Sequence, residues 1–270
     1  MTVLEGLKPE KVFYFFEKLC EIPHGSTNMK EISDYLVSFA KERNLKYYQD
    51  EAYNVVIYKE ASAGYEDAPI TILQGHCDMV AEKTPDSDHD FTKDGLKLKV
   101  EGDYLTAEGT TLGGDDGIAV AYMLAVLDDD TLKHPALECV ITTDEEIGLL
   151  GAKALDTSVL KGTHMINMDS EEEGYLWISC AGGLSGTSRI PVEYQEMEGV
   201  VTEVLIDGLN GGHSGAEIDK NRANANKLMG LFLYELGQKT AYSIKDLSGG
   251  TKDNAITRSC KATLVLGEED

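Results

Sequence analysis

Apolar residues recur at helical spacing from Pro9 to Cys20, where Val12, Phe13, Phe16, Leu19 and Cys20 share a face; this predicts a first amphipathic helix. A second is predicted from Asn28 to about Arg43, with Asn28 as N-cap and Glu31 three residues on, the spacing of a capping box. Short apolar runs follow at 54–59 (NVVIYK), 70–74 (ITILQ), 138–142 (ECVIT) and 164–168 (HMINM), the last two of the kind found in a covered sheet. Between them, 115–127 (DDGIAVAYMLAVL) reads as a helix buried on several sides. Strands alternating with helices through about residue 180 predict an α/β fold: a mostly parallel sheet with helices on both faces.

Beyond Gly182-Gly183 the texture changes. Strands are predicted at 186–192 and 200–206, a helix at 221–237, and further strands at 242–247 and 261–266. That β-rich α+β pattern predicts a second domain, with 1–182 and 183–270 as the two parts.

Charge narrows the partners. Forty-eight acidic residues against 24 basic ones give a formal charge of -24, and nucleic-acid binding rests on clustered Lys and Arg that this chain does not supply. No apolar run approaches the ~18 residues of a membrane span, and the first residues, MTVLEGLKPEKVFYFF, do not read as a secretory signal. The five cysteines are scattered and form no C-x-x-C pair, which fits a reducing compartment. A cytoplasmic protein, bound to neither nucleic acid nor membrane, is expected.

The candidate chemistry sits at the ends of the apolar runs. ITILQ is followed by Gly75-His76-Cys77-Asp78, ECVIT by Thr143-Asp144-Glu145-Glu146, and HMINM by Asp169-Ser170-Glu171. A fourth cluster, Gly113-Gly114-Asp115-Asp116-Gly117, opens the buried helix. Each alone is commonplace. Together they deliver His and carboxylates to one edge of an open sheet, where ligands collect. Imidazole with carboxylates suits zinc, cobalt or manganese better than calcium. Asp78, two residues from His76, is placed to fix its tautomer while the other ring nitrogen meets a metal. Vicinal Glu145 and Glu146 can divide two tasks, one ligating and one moving a proton.

The stretches EIPHGS, LQGHCDMV, HDFTKDGLKL, AEGTTLGGDDGIAVAYMLA, TTDEEIGLLGA, NMDSEEEG, CAGG and GLNGGHSGAEI, spread over residues 21 to 258, resemble the superfamily of two-zinc exopeptidases and aminoacylases. They are most similar to its aminoacyl-histidine dipeptidase branch, also called peptidase D. The resemblance implies a catalytic domain carrying an inserted lid that makes a homodimer, and two divalent ions, zinc before cobalt or manganese. It implies that His76 and Asp169 bind one ion and Glu146 the other, with Asp115 bridging both. Asp78 would orient His76, and Glu145 would be the general base toward a metal-bridging water. The Asp115-Asp116 peptide would be cis. His213, in GGHSG, would stabilise the oxyanion in the partner subunit's site, and Asn254 and Arg258, in NAITR, would contact substrate. The family segment has a proline where Thr257 stands here.

The implied substrates are dipeptides, Xaa-Xaa including Xaa-His. An N-acyl-amino-acid amidohydrolase shares the same metal cage and is the near alternative. The family takes one more metal-binding histidine from a segment beyond the lid, and no histidine follows His213 before Asp270. The 270 residues are therefore expected to be a front portion of a longer protein or a shortened form, with an incomplete lid, weakly active or inactive alone. A metal-binding or dimerisation protein without catalysis is the remaining alternative, against which an intact Glu145 speaks. His24, His134 and His164 are expected to be structural, and Cys77 to pack.

Overall fold

The computed structural model describes residues 3–170, 172–180, 182, 184, 186–215, 217–250, 252 and 254–267. The chain divides into two compact units, Met1–Ile178 and Ser179–Asp270. Gly183, expected to open the second part, lies outside the described residues.

In the first unit, α1 (Glu10–Cys20) buries Val12, Phe15, Phe16, Leu19 and Cys20, and α2 (Lys30–Glu42) buries Ile32, Leu36, Val37, Phe39 and Ala40. The expected capping box at Asn28 does not form. Met29 occupies the N-cap without a side-chain bond, because Asn28 turns away and donates its amide to Phe91 O at 3.4 Å. The strands β1 (Lys46–Gln49), β2 (Val55–Lys59) and β3 (Thr71–His76) follow, then a hairpin of β4 (Leu98–Glu101) and β5 (Tyr104–Ala107). Next come α3 (Gly114–Leu127), β6 (Leu137–Thr142), the short α4 (Leu150–Ala154) and β7 (His164–Asn167).

The five-stranded sheet runs β1-β2-β6-β3-β7. It is mixed: β1/β2 and β2/β6 are antiparallel, whereas β6/β3 and β3/β7 are parallel. On one face α1, α2 and α3 enclose the main core with Val55, Ile57, Cys139 and Ile141. On the other, Val56, Ile72 and Val140 pack against Leu155, Val159 and Leu160. The expectation that HMINM is a covered strand is corrected, since β7 is exposed along its length. It is an edge strand among the described residues, with one neighbour, β3.

In the second unit, β8 (Val200–Ile206), β10 (Tyr242–Gly249) and β12 (Cys260–Leu266) form an antiparallel sheet ordered β10-β12-β8. The two-residue strands β9 (Gly212–His213) and β11 (Ala255–Ile256) pair separately. Helix α5 (Ala225–Gly237) lays Ala225, Met229 and Leu233 on Cys260, Ala262 and Leu264. It begins at Ala225 rather than 221 because Asn224 caps it, accepting from the N–H groups of Asn226 and Lys227. Residues 186–192, expected as a strand, join no ladder among the described residues; an alternating pattern becomes a strand only where a neighbour takes its N–H and C=O groups.

Candidate metal centre

Parallel register gathers three of the acid clusters. His76 lies opposite Thr142 on β6, and Gln74 lies opposite Asn167 on β7. Continuing that register two residues brings Asp169 beside His76, and the Thr143–Glu146 stretch beside Cys77 and Asp78. The fourth cluster arrives from α3. A side chain at Gly75 would collide with Asp116 Oδ2, and the glycine is what lets the start of α3 approach β3. Asp115 and Asp116 are not helical, and the peptide between them is cis.

The convergence centres on His76, which is buried. Its Nε2 lies 3.2 Å from Asp115 Oδ1, 3.9 Å from Glu145 Oε2 and 4.0 Å from Asp169 Oδ1. On the other side of the ring, Nδ1 sits 3.0 Å from Asp78 O and 3.4 Å from Asp78 Oδ1. Asp78 in turn accepts the backbone N–H of Glu145 at 2.9 Å, that of Glu146 at 3.3 Å, and the Ser26 hydroxyl at 2.8 Å. Two donor groups have mutual distances within 4.8 Å: His76, Asp115 and Glu146, and His76, Asp116 and Asp169.

Electrostatics follow from crowding. Burial raises the Asp116 carboxyl, and the Asp169 charge adds to it, to about 7. Burial also raises Glu145 and Glu146; His76 opposes this, while neighbouring carboxylates reinforce it. For His76, burial alone would lower the pKa, but the hydrogen bond and charge of Asp78, with Asp169 and Asp116, push it to about 10. Burial would raise Asp78 too, yet His76, the Glu145 N–H and Ser26 together lower it. Negative charge thus exceeds what one imidazole can balance. One histidine nitrogen among carboxylate oxygens is a donor set that fits zinc, cobalt or manganese.

Every first-unit residue expected at the site, His76, Asp78, Asp115, Glu145, Glu146 and Asp169, is in this cluster. Asp116, Ser26 and Asp144 were not singled out. Asp116 is buried, and its Oδ2 accepts the His76 N–H at 3.2 Å; the doublet in GGDDG was the available signal. Cys77 is buried in the core with its thiol pushed far up by that burial, so it packs as expected. His24 and His134 are buried with Nδ1 on the carbonyls of Ile22 and Pro135, whereas His164 is exposed on β7.

The remaining three candidates share a feature of the second unit. His213, Asn254 and Arg258 line one cavity of about 700 Å³, with Asp207, Thr257 and Ser259. His213 pairs with Ala255 across β9 and β11, and Ser214 N–H donates to Asn254 O at 2.8 Å. Glu217 accepts the His213 N–H at 3.1 Å and is held by Arg222, which also donates to Gly211 O. A side chain at Gly212 would collide with both Glu217 and Arg222. Gly215 N–H donates to His213 Nδ1 at 3.1 Å, so the neutral ring carries its proton on Nε2.

A profile for the peptidase dimerisation domain matches residues 206–269. The cytosol non-specific dipeptidase of Escherichia coli is 40% identical over all of this chain and 56% of its own length. The crystal structure of aminoacylhistidine dipeptidase from Vibrio alginolyticus matches with a TM-score of 0.71 and 38% identity, over 98% of this chain and 54% of that one. Aminopeptidase PepT from Bacillus cereus, at 18% identity, shares the fold with a TM-score of 0.53 over 96% of this chain and 67% of its own. The chain spans about half the length of the two dipeptidases. A peptidase dimerisation domain model matching within its second unit and dipeptidase similarity along its whole length make the chain similar to peptidases of the M20 type.

Proposed function

We propose that the chain provides the metal-binding and proton-transfer residues of a dinuclear metallo-dipeptidase, a hydrolase of Xaa-Xaa and Xaa-His substrates. The observation that carries the reading is the convergence of Asp115, Glu145, Glu146 and Asp169 on His76 from two other strand ends and a helix start. The names of the two dipeptidases similar along the whole chain point the same way.

His76 and Asp169 would hold one divalent ion and Glu146 the other, with Asp115 shared; zinc is the first candidate, ahead of cobalt and manganese. Two such ions, when bound, lower the pKa of a water and polarise the scissile carbonyl. Asp78 holds the His76 ring through Nδ1 and leaves Nε2 facing the carboxylates. Glu145 takes the proton of the attacking water and passes it to the leaving amine; its raised pKa brings it nearer neutrality, where a shuttle works best. His213 would donate from Nε2 to the developing oxyanion in a partner subunit, and Asn254 and Arg258 would hold substrate. The protein would be a homodimer through its second unit and act in the cytoplasm.

The test is hydrolysis of dipeptides, among them Xaa-His, by the full-length protein before and after chelation and readdition of zinc, cobalt or manganese. Metal-restored dipeptidase activity is expected. Absence of metal-dependent hydrolysis overturns the reading, and cleavage of N-acyl amino acids without dipeptides moves it to the amidohydrolase relatives.

A further inference from the structure

The loop between α1 and α2 lies along the chain that leaves β3. Gly25 bridges Met79 in parallel, Ser26 N–H donates to Met79 O at 3.1 Å, and Met79 N–H donates to His24 O at 3.2 Å. The fit is close, since a Cβ on Gly25 would stand 2.9 Å from Ala81 Cβ. From this rail two contacts reach acids on different strand ends. Ser26 Oγ donates to Asp78 Oδ2 at 2.8 Å, past β3, and Thr27 N–H donates to Asp144 Oδ1 at 2.6 Å, past β6. Thr27 and Asp144 both have positive φ, 74° and 50°, a conformation that non-glycine residues keep only where their surroundings impose it.

We propose that residues 25–28 are a strap that fixes the acid-bearing ends of β3 and β6 against each other, with Ser26 and Asp144 as positioning residues for the His76 cluster. Asp78 is the junction. Its carboxylate takes the Ser26 hydroxyl as well as the N–H groups of Glu145 and Glu146. Removing the hydroxyl frees Asp78 to rotate, and both the His76 ring and the Glu145-Glu146 turn lose their reference. Asp144 works from the other end: its bond to Thr27 holds the left-handed residue from which Glu145 and Glu146 emerge. Neither Ser26 nor Asp144 belongs to the two donor groups, so the strap acts through geometry alone.

The inference rests on the reading that the cluster holds metal, and its test separates the two. Ser26→Ala and Asp144→Ala are compared with Asp144→Asn, which keeps the acceptor and tolerates the left-handed backbone. In the full-length protein, cobalt(II) affinity is measured by chelator competition, with the visible d–d spectrum, kcat, KM and metal-free melting temperature alongside. Both alanine variants should bind cobalt about 10- to 100-fold more weakly, the range for lost support of a ligand. They should show an altered spectrum and lowered kcat with little change in KM, at unchanged metal-free melting temperature, while Asp144→Asn stays near wild type. Alanine variants with wild-type affinity and spectrum overturn the strap, as does a loss that merely follows a fall in melting temperature. If wild type binds cobalt but hydrolyses no dipeptide, the proposed function fails while the affinity comparison still decides on the strap. If wild type binds no cobalt, both fail.

Discussion

Glu145 donates its backbone N–H to Asp78 Oδ1 at 2.9 Å, so the acid that orients His76 from one strand end also holds the turn that presents Glu145 from another. The contact uses the Glu145 backbone and leaves its side chain to face the cluster, where Oε2 lies 3.9 Å from His76 Nε2. Glu145→Ala therefore keeps the turn. The metal content per chain should stay near that of wild type while dipeptide turnover falls by at least the ~10²–10⁴-fold that a general base supplies. Metal analysis and rate measurement on the same preparation check this; loss of both metals, or retained activity, contradicts the proton-transfer role.

The ligand set makes a different prediction. Asp169 and Glu146 fall in separate donor groups, so Asp169→Ala and Glu146→Ala should each lose one ion and keep the other. Asp115 lies in the Glu146 group, and if it bridges both ions as proposed, Asp115→Ala should lose both. Elemental analysis after dialysis gives the count directly, and equal retention in all three variants would remove the assignment.

These placements were legible in the sequence because an apolar run that ends in acids has one reading once parallel strands share an edge. The mixed sheet was less so. Only residues 50–54 separate β1 from β2, and so short a connection imposes an antiparallel pair, since parallel neighbours need a crossover. Ser26 and Asp144 escaped notice because their partners lie 52 and 117 residues away, and no local spacing encodes such contacts. Asn28 shows the converse: its spacing to Glu31 is that of a capping box, but a distant carbonyl, Phe91 O, takes its side chain instead.

His24 links the same loop to pH. It is 5% exposed, its ring bonded to the Ile22 carbonyl at 2.6 Å. Burial lowers its pKa below the usual 6.5, only partly opposed by that bond and by Asp78. A depressed histidine stays neutral in the fold while the unfolded chain takes up a proton, so stability is lost as pH falls below about 6.5. His24→Asn keeps the donor to Ile22 O without the titration. Between about pH 7.5 and 5.5 its melting temperature should fall less than that of wild type. Parallel curves would show that His24 is not among the groups responsible.

The outer face of α5 bears on assembly. Leu228, Leu231 and Phe232 form an exposed stripe flanking the buried Ala225, Met229 and Leu233, and Leu231 is 59% exposed. If the proposed homodimer buries this stripe, each leucine contributes about 1.5–3 kcal/mol and is counted twice across a two-fold interface. Leu231→Asp should then weaken the dimer about a hundredfold or more, seen as monomer in sedimentation velocity at concentrations where wild type is dimeric. An unchanged dimer would place the interface elsewhere.

His213 carries the most demanding prediction. Its Nδ1 accepts from Gly215 N–H at 3.1 Å, which leaves the neutral ring with a donor at Nε2, the group an oxyanion requires. Charge on the oxyanion appears only in the transition state, so His213→Ala should lower kcat far more than it raises KM. The loss expected for one such donor is about 10²–10³-fold. If His213 acts on the partner subunit's site, as proposed, a second consequence follows. His213→Ala chains mixed with Glu145→Ala chains, each nearly inactive, should regain activity once subunits exchange. In a mixed dimer, one site combines an intact Glu145 with the His213 lent by the other chain. Random pairing makes half the dimers mixed, each with one working site of two, so recovery should approach about a quarter of wild type in a two-fold dimer. Exchange can be followed independently by labelling the two variants with different fluorophores. Complete exchange without recovered activity would assign His213 to its own subunit's chemistry, or to the β9–β11 turn alone.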